Sequence, residues 1–200
     1  IPLSETVTFL HGPVSTGKST VARLVSFCFG GALEQTPAIK QEFVAAELDL
    51  EIGQHSCRFE RALTDTSHVR VSWTRGDEMG SVNAPISGGG EALVEGDNIS
   101  NLSDLVFFLS GLTPIRVRRS KRDPQSPLVR LGFRDLLRFC YLDQGHLDSS
   151  FYRLDEPVTG LKSRDAMRFF TGMHSDRLSQ LEQELDEATD KQRSKREAVV

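Results

Sequence analysis

The eight-residue stretch Gly12-Pro13-Val14-Ser15-Thr16-Gly17-Lys18-Ser19 constrains this chain more than any other feature. It lies between the short, apolar, β-prone segment Val7-Thr8-Phe9-Leu10 and a helix-forming run over residues 20–27. A strand that passes through a glycine-rich turn into a helix makes backbone N–H groups converge on one point. Gly12 and Gly17 let the backbone turn and approach a ligand, the helix N-terminus adds partial positive charge, and Lys18 adds a full one. The ligand that needs so many donors at once is a chain of phosphates, so the pattern predicts ATP or another nucleoside triphosphate held with Mg2+. Lys18 is then the candidate catalytic cation bridging the β- and γ-phosphates, Ser19 the metal ligand, and Thr20 a donor toward the α-phosphate. The backbone of Gly12, Pro13, Val14, Ser15, Thr16 and Gly17 completes the expected cradle.

Bulk properties narrow the setting. Two hundred residues, 38% apolar and 26% charged, suffice for one main core with a short appended segment. A formal net charge of −4 gives no global positive field, so contact with a polyanion needs a local basic patch. Cys28, Cys57 and Cys140 are odd in number and lack CxxC spacing, which argues against a disulfide framework or a four-thiolate zinc site. His11, His55, His68, His146 and His174 show no metal-ligand spacing either. No apolar run approaches the roughly 20 residues that span a bilayer, and no signal-peptide pattern opens the chain, so a cytoplasmic location without a membrane partner is expected. The sequence starts at Ile1 and stops inside a charged, helix-forming stretch, which suggests a piece of something longer.

Downstream of the first helix, residues 46–52, 57–63 and 68–73 alternate apolar and polar side chains. That predicts an antiparallel meander with one wet face. Residues 76–99, centred on Gly88-Gly89-Gly90, read as a loop. Asn101 is placed to N-cap a helix over 102–112, a basic proline-containing stretch follows over 114–127, and residues 133–141 predict a further helix. From residue 175 the pattern changes: Leu178, Leu181, Leu185, Ala188, Gln192, Lys195 and Val199 repeat at spacings of three and four among charged residues. This is a coiled-coil seam, with a single amphipathic surface helix as the alternative.

A phosphate loop whose helix runs into an antiparallel meander, rather than into further parallel β-α units, resembles lobe one of ATP-binding-cassette heads. The layout is most similar to the coiled-coil heads of structural-maintenance-of-chromosomes (SMC) proteins and the related double-strand-break-repair ATPases. The resemblance implies an α/β fold: a P-loop NTPase with an ABC-type N-terminal lobe over 1–174, a mixed sheet containing the meander, and a coiled-coil arm starting at 175–200. In that family a glutamine after a helix touches magnesium and the attacking water. The segment Phe139-Cys140-Tyr141-Leu142-Asp143-Gln144-Gly145-His146 resembles that loop, which makes Gln144 a candidate catalytic residue and metal ligand. An amide suits the task because its oxygen ligates metal while its nitrogen donates to water.

Two segments are superficially similar to other family motifs. Ile86-Ser87-Gly88-Gly89-Gly90 resembles the signature motif but precedes Gln144 instead of following it. Tyr152-Arg153-Leu154-Asp155-Glu156-Pro157 resembles the strand bearing the magnesium aspartate and catalytic glutamate, but Ser149, Ser150 and Arg153 interrupt what should be an apolar run. With both set aside, the resemblance implies the N-terminal half of a split head. Its partners would be a C-terminal lobe, a second head in an ATP-dependent dimer, DNA, and a nuclease or other effector subunit. The process served would be DNA repair, chromosome organisation or defence against foreign DNA. The alternative is a nucleotide-gated coiled-coil scaffold that does not hydrolyse ATP; a metabolite kinase is disfavoured by the meander. Arg116-Val117-Arg118-Arg119-Ser120-Lys121-Arg122, with Arg130 nearby, is a run suited to a phosphodiester backbone, with a solvated loop as the competing reading.

Overall fold

Alternation of apolar and polar residues over 45–75 produces three antiparallel strands in the computed structural model, β1 (Ala45–Ile52), β2 (His55–Ala62) and β3 (His68–Arg75), and β4 (Glu78–Pro85) adds a fourth, hydrogen-bonded in that order. The structure describes residues 1–88, 92–94, 99–113, 116–118, 128–141 and 157–173, and beyond these 177, 181, 184–185, 188–189 and 191–192. The chain divides into two compact units, 1–110 and 111–200. The boundary expected between 174 and 175 lies outside the described residues.

In the first unit, Phe59, Val69, Val71 and Ala84 are completely buried on one face of the sheet, while Glu47, Asp49, Glu51, Arg58 and Arg70 of the other face are exposed. Burial of each large side chain here contributes about 1.5–3 kcal/mol. Helix α1 (Lys18–Cys28) packs on β1 and β2, and α3 (Leu102–Leu109) packs on β4. Two-residue turns close the outer hairpins, with Gly53 at φ 61 and Gly76 at φ 59 as the first turn residues. A positive φ at that position suits the right-handed twist of the strands it joins. Asn101 caps α3 as predicted, its Oδ1 accepting from the Asp104 N–H at 3.1 Å. The helix ends three residues before the predicted 112, with Gly111 at φ 65 just beyond it.

In the first unit the structure corrects the expected elements in three places. Strand β4 occupies residues assigned to a loop; its polar composition is that of an edge strand, and only Ala84 of it is buried. Gly80 is required there because a Cβ would lie 2.3 Å from Cζ2 of Trp73, its cross-strand partner. Gly80→Ala should therefore cost about 1–3 kcal/mol in urea unfolding, with the indole forced from its seat; a change within experimental error would show that Trp73 moves aside freely. Second, Val7-Thr8-Phe9-Leu10 forms no strand: all four residues are exposed, Phe9 at 85%, and they enter no ladder among the described residues. A strand exists only by pairing, and β propensity without a neighbouring strand does not create one. Third, a short helix not predicted, α2 (Pro37–Glu42), follows Thr36, whose hydroxyl accepts from the Ile39 N–H at 3.4 Å.

In the second unit, β5 (Arg116–Arg118) pairs antiparallel with β6 (Leu128–Arg130), so residues 116–118 of the basic stretch over 114–127 are strand, and the second strand begins just after it. Helix α4 (Phe133–Cys140) matches its predicted range to within one residue, and α5 (Pro157–Phe170) packs against it. The buried Asp135 carboxylate joins the two, accepting from Lys162 Nζ and from the Gly132 N–H, each at 3.1 Å. The Phe139 and Phe170 rings meet at a tilt of 56°, 5.5 Å between centroids. Of the expected seam, Leu181, Leu185, Ala188 and Gln192 are helical and exposed, Leu185 at 66%. Leu178, Lys195 and Val199 lie outside the described residues.

Candidate phosphate-binding site

The loop before α1 is built on left-handed backbone. Gly12 has φ 152, Ser15 φ 66 and Gly17 φ 83, and Gly17 serves as N-cap of the helix without any side-chain hydrogen bond to its first turn. Lys18 reaches back into the ring so formed: its Nζ donates to the carbonyl oxygens of Gly12 at 2.9 Å and Pro13 at 2.6 Å and to Thr16 Oγ1 at 3.2 Å. Thr16 Oγ1 in turn donates to the Pro13 carbonyl at 2.9 Å. The ammonium thus stands at the centre of a loop that precedes a helix N-terminus. The helix adds its own partial positive charge there.

A cavity of about 550 Å³ opens from this ring toward α2, within the range of small-molecule sites. Its loop side is lined by Ser15, Thr16, Lys18, Ser19 and Thr20; the rest is lined by Leu24, Ile39 and Phe43 together with Thr36 and Glu42. Of the predicted cradle, Ser15, Thr16, Gly17, Lys18, Ser19 and Thr20 share this cavity. Gly12 and Pro13 hold Lys18 through their carbonyls, and Val14 is 91% exposed. The α2 wall was missed in the sequence, although Thr36-Pro37 is an N-cap followed by proline at the first helical position.

The opposite end of α1 is clamped. Arg61 of β2, 5% exposed, donates from Nη1 to the carbonyls of Phe27 and Gly31, both at 2.7 Å, and from Nη2 to the Thr66 carbonyl. Its guanidinium lies 4.0 Å from the centre of the Phe27 ring. Burial in the same region pushes the Cys28 thiol up to about 11, with Arg61 opposing, so this thiol stays protonated and is a packing group.

Other polar constellations are structural. Asp65, Ser67 and His68 supply the residue types of a nucleophilic triad, but all three are tied into one local turn: the Ser67 hydroxyl donates to Asp65 Oδ1 at 2.7 Å and also lies 2.9 Å from His68 Nδ1. His68 Nδ1 lies 3.1 Å from Asp65 Oδ2 on the same turn. The Ser67 hydroxyl and N–H, ahead of His68, hold the Asp65 carboxyl below its usual range, which fastens the β2–β3 turn. On the wet face of the sheet, Asp49 and Arg58 form a two-pronged cross-strand pair at 2.7 and 3.0 Å. Among the described residues, no group of three or more His, Cys, Asp or Glu side chains is arranged to hold a metal.

Gln144, the Asp155-Glu156 pair and Arg119 to Arg122 lie outside the described residues. Arg116 and Arg118 flank Val117, which is buried in β5. Ile86 and Ser87 follow β4, with the Ile86 N–H donating to the Ser67 carbonyl at 2.9 Å; no helix starts there among the described residues, and Gly89 and Gly90 lie outside them. No family model matches the chain, and no curated protein or solved structure is significantly similar to it.

Proposed function

We propose that the chain binds a nucleoside triphosphate, ATP by the resemblance given above, as its magnesium complex through residues 12–20. We further propose that it forms the N-terminal lobe of an SMC-like ABC-type ATPase head. The observation that carries the first part is the Lys18 ammonium, held by two carbonyls and a hydroxyl at the centre of a left-handed loop on a helix N-terminus. The Ser19 hydroxyl, beside Lys18 on the cavity wall, suits a hard cation that keeps most of its ligands as water and phosphate oxygen. Bound there, magnesium would neutralise charge on the β- and γ-phosphates. Lys18 supplies the protein's cation to the same oxygens, and the first-turn N–H groups of α1 supply neutral donors. Gln144 enters as the water-positioning residue through the family resemblance.

The second part is supported by what surrounds the loop. Val7, Phe9 and Leu10, which enter no ladder among the described residues, leave apolar surface directly before it, as expected where the neighbouring strands belong to another lobe. The exposed Leu181, Leu185 and Ala188 of the helical repeat are suited to a second helix. A head completed by a C-terminal lobe and dimerised with a second head would act on DNA together with an effector such as a nuclease. A cytoplasmic setting is part of the same proposal; among the described residues, no helix is long and apolar enough to cross a membrane.

The purified chain alone should release essentially no phosphate, because the split-head reading assigns the general base to the complementary lobe and the trans-acting donors to the second head. Turnover should appear when the complementary lobe is added or fused. Steady-state phosphate release with Lys18→Ala as background measures this. Robust Lys18-dependent turnover by the chain alone would overturn the split-head reading, and nucleotide-dependent dimerisation of the completed head without turnover would favour the scaffold.

A further inference from the structure

We propose that Ser15, through its hydroxyl, is a positioning residue for the bound phosphates; this rests on the phosphate-loop reading above. Ser15 is the single non-glycine residue with positive φ among the described residues, at 66°. That region crowds a Cβ against the backbone and is the natural place for glycine. A cradle that needed only the backbone N–H at this position would be better served by glycine, which turns there without strain. Backbone strain of this kind persists only where the surrounding structure holds it, and it collects at ligand clamps.

The neighbouring hydroxyl shows what that use is not. Thr16 Oγ1 is already engaged, donating to Pro13 and accepting from Lys18, so the loop holds its shape without Ser15. The Ser15 hydroxyl makes no hydrogen bond to the described residues; it is exposed and lines the cavity beside Lys18, Ser19 and Thr20. A hydroxyl held on a strained backbone beside the Lys18 ammonium, at the end of the cavity away from Glu42 of α2, is a donor for an anionic oxygen. A charge-assisted bond to phosphate is the strong kind available to it. Ser15 would add a directed donor to the neutral ones of the backbone, fixing where the phosphate chain lies relative to Lys18.

The test uses the 200-residue chain, Mg2+ and ATP, with titration calorimetry and thermal unfolding read in parallel on the parent, Ser15→Gly, Ser15→Ala and Lys18→Ala. Ser15→Gly relieves the strain and removes the hydroxyl, so the melting temperature should rise by about 2 °C while affinity falls about tenfold. Ser15→Ala keeps the strain, so it should melt near the parent and bind about tenfold more weakly. A merely structural role would move stability and affinity in the same direction. Parent-like or tighter ATP binding by Ser15→Gly, with binding lost in Lys18→Ala, overturns the role of Ser15 and leaves the phosphate loop standing. Absence of binding by the parent, with Lys18→Ala indistinguishable from it, overturns both.

Discussion

Lys18→Ala should weaken ATP binding at least a hundredfold while leaving the melting temperature of the chain within a few degrees of the parent. The ammonium is the one cationic side chain lining the cavity among the described residues, and its three hydrogen bonds all end within residues 12–16. Removing it costs the charge-assisted bonds to phosphate and leaves the negative ligand facing carbonyl dipoles, a loss of about 3 kcal/mol or more. Global stability is largely spared because the core built on Phe59, Val69, Val71 and Phe107 lies away from the exposed loop. Arginine is a poor substitute, since a planar fork does not fit a ring sized for a compact ammonium. Calorimetry decides: equal ATP affinity for Lys18→Ala and the parent removes the phosphate-loop assignment.

Arg61→Met should destabilise the first unit by about 4 kcal/mol, a large share of the 5–15 kcal/mol typical of a domain. Methionine fills much of the same volume, so the loss isolates the polar contacts. The buried carbonyls of Phe27 and Gly31 lose their donor in a place where water cannot readily replace it, and the carbonyl of the exposed Thr66 loses its partner as well. Each unsatisfied group costs about 1–3 kcal/mol, and the stacking on Phe27 is lost as well. Urea unfolding followed by tryptophan fluorescence reports on the sheet directly, because Trp73 is the only tryptophan and sits in β3. A loss below about 1 kcal/mol would mean that the α1 terminus finds other donors.

How much of this was legible in the sequence depended on whether the signal was local. Period-two alternation placed β1, β2 and β3 because each buries one face, and Asn101 placed the start of α3 because a cap is a property of adjacent residues. The loop over 12–19 was legible for the same reason: its glycines and lysine act within one turn of chain. Strand β4 was not, since what holds its Gly80 is the Trp73 ring across the sheet, and no window of sequence shows that contact. Val7-Thr8-Phe9-Leu10 misled in the opposite direction, because its propensity is local while strand formation needs a neighbour. The role of Arg61 was hidden inside an apparently amphipathic strand, where alternation alone would have placed an apolar residue.

The clamp at the end of α1 makes the helix a cantilever. Its last turn is buried and tied to the sheet by Arg61, whereas its first turn and the loop beyond it stand largely free. Eleven residues give a beam about 16 Å long, so a tilt of about 5° at the root carries the tip by roughly 1.4 Å. Displacement of that size is enough to bring a lysine into or out of register with a phosphate oxygen. Whatever braces the half-covered flank of Val21, Leu24 and Val25 therefore sets the stiffness of the beam, and with it how sharply the tip can be aimed.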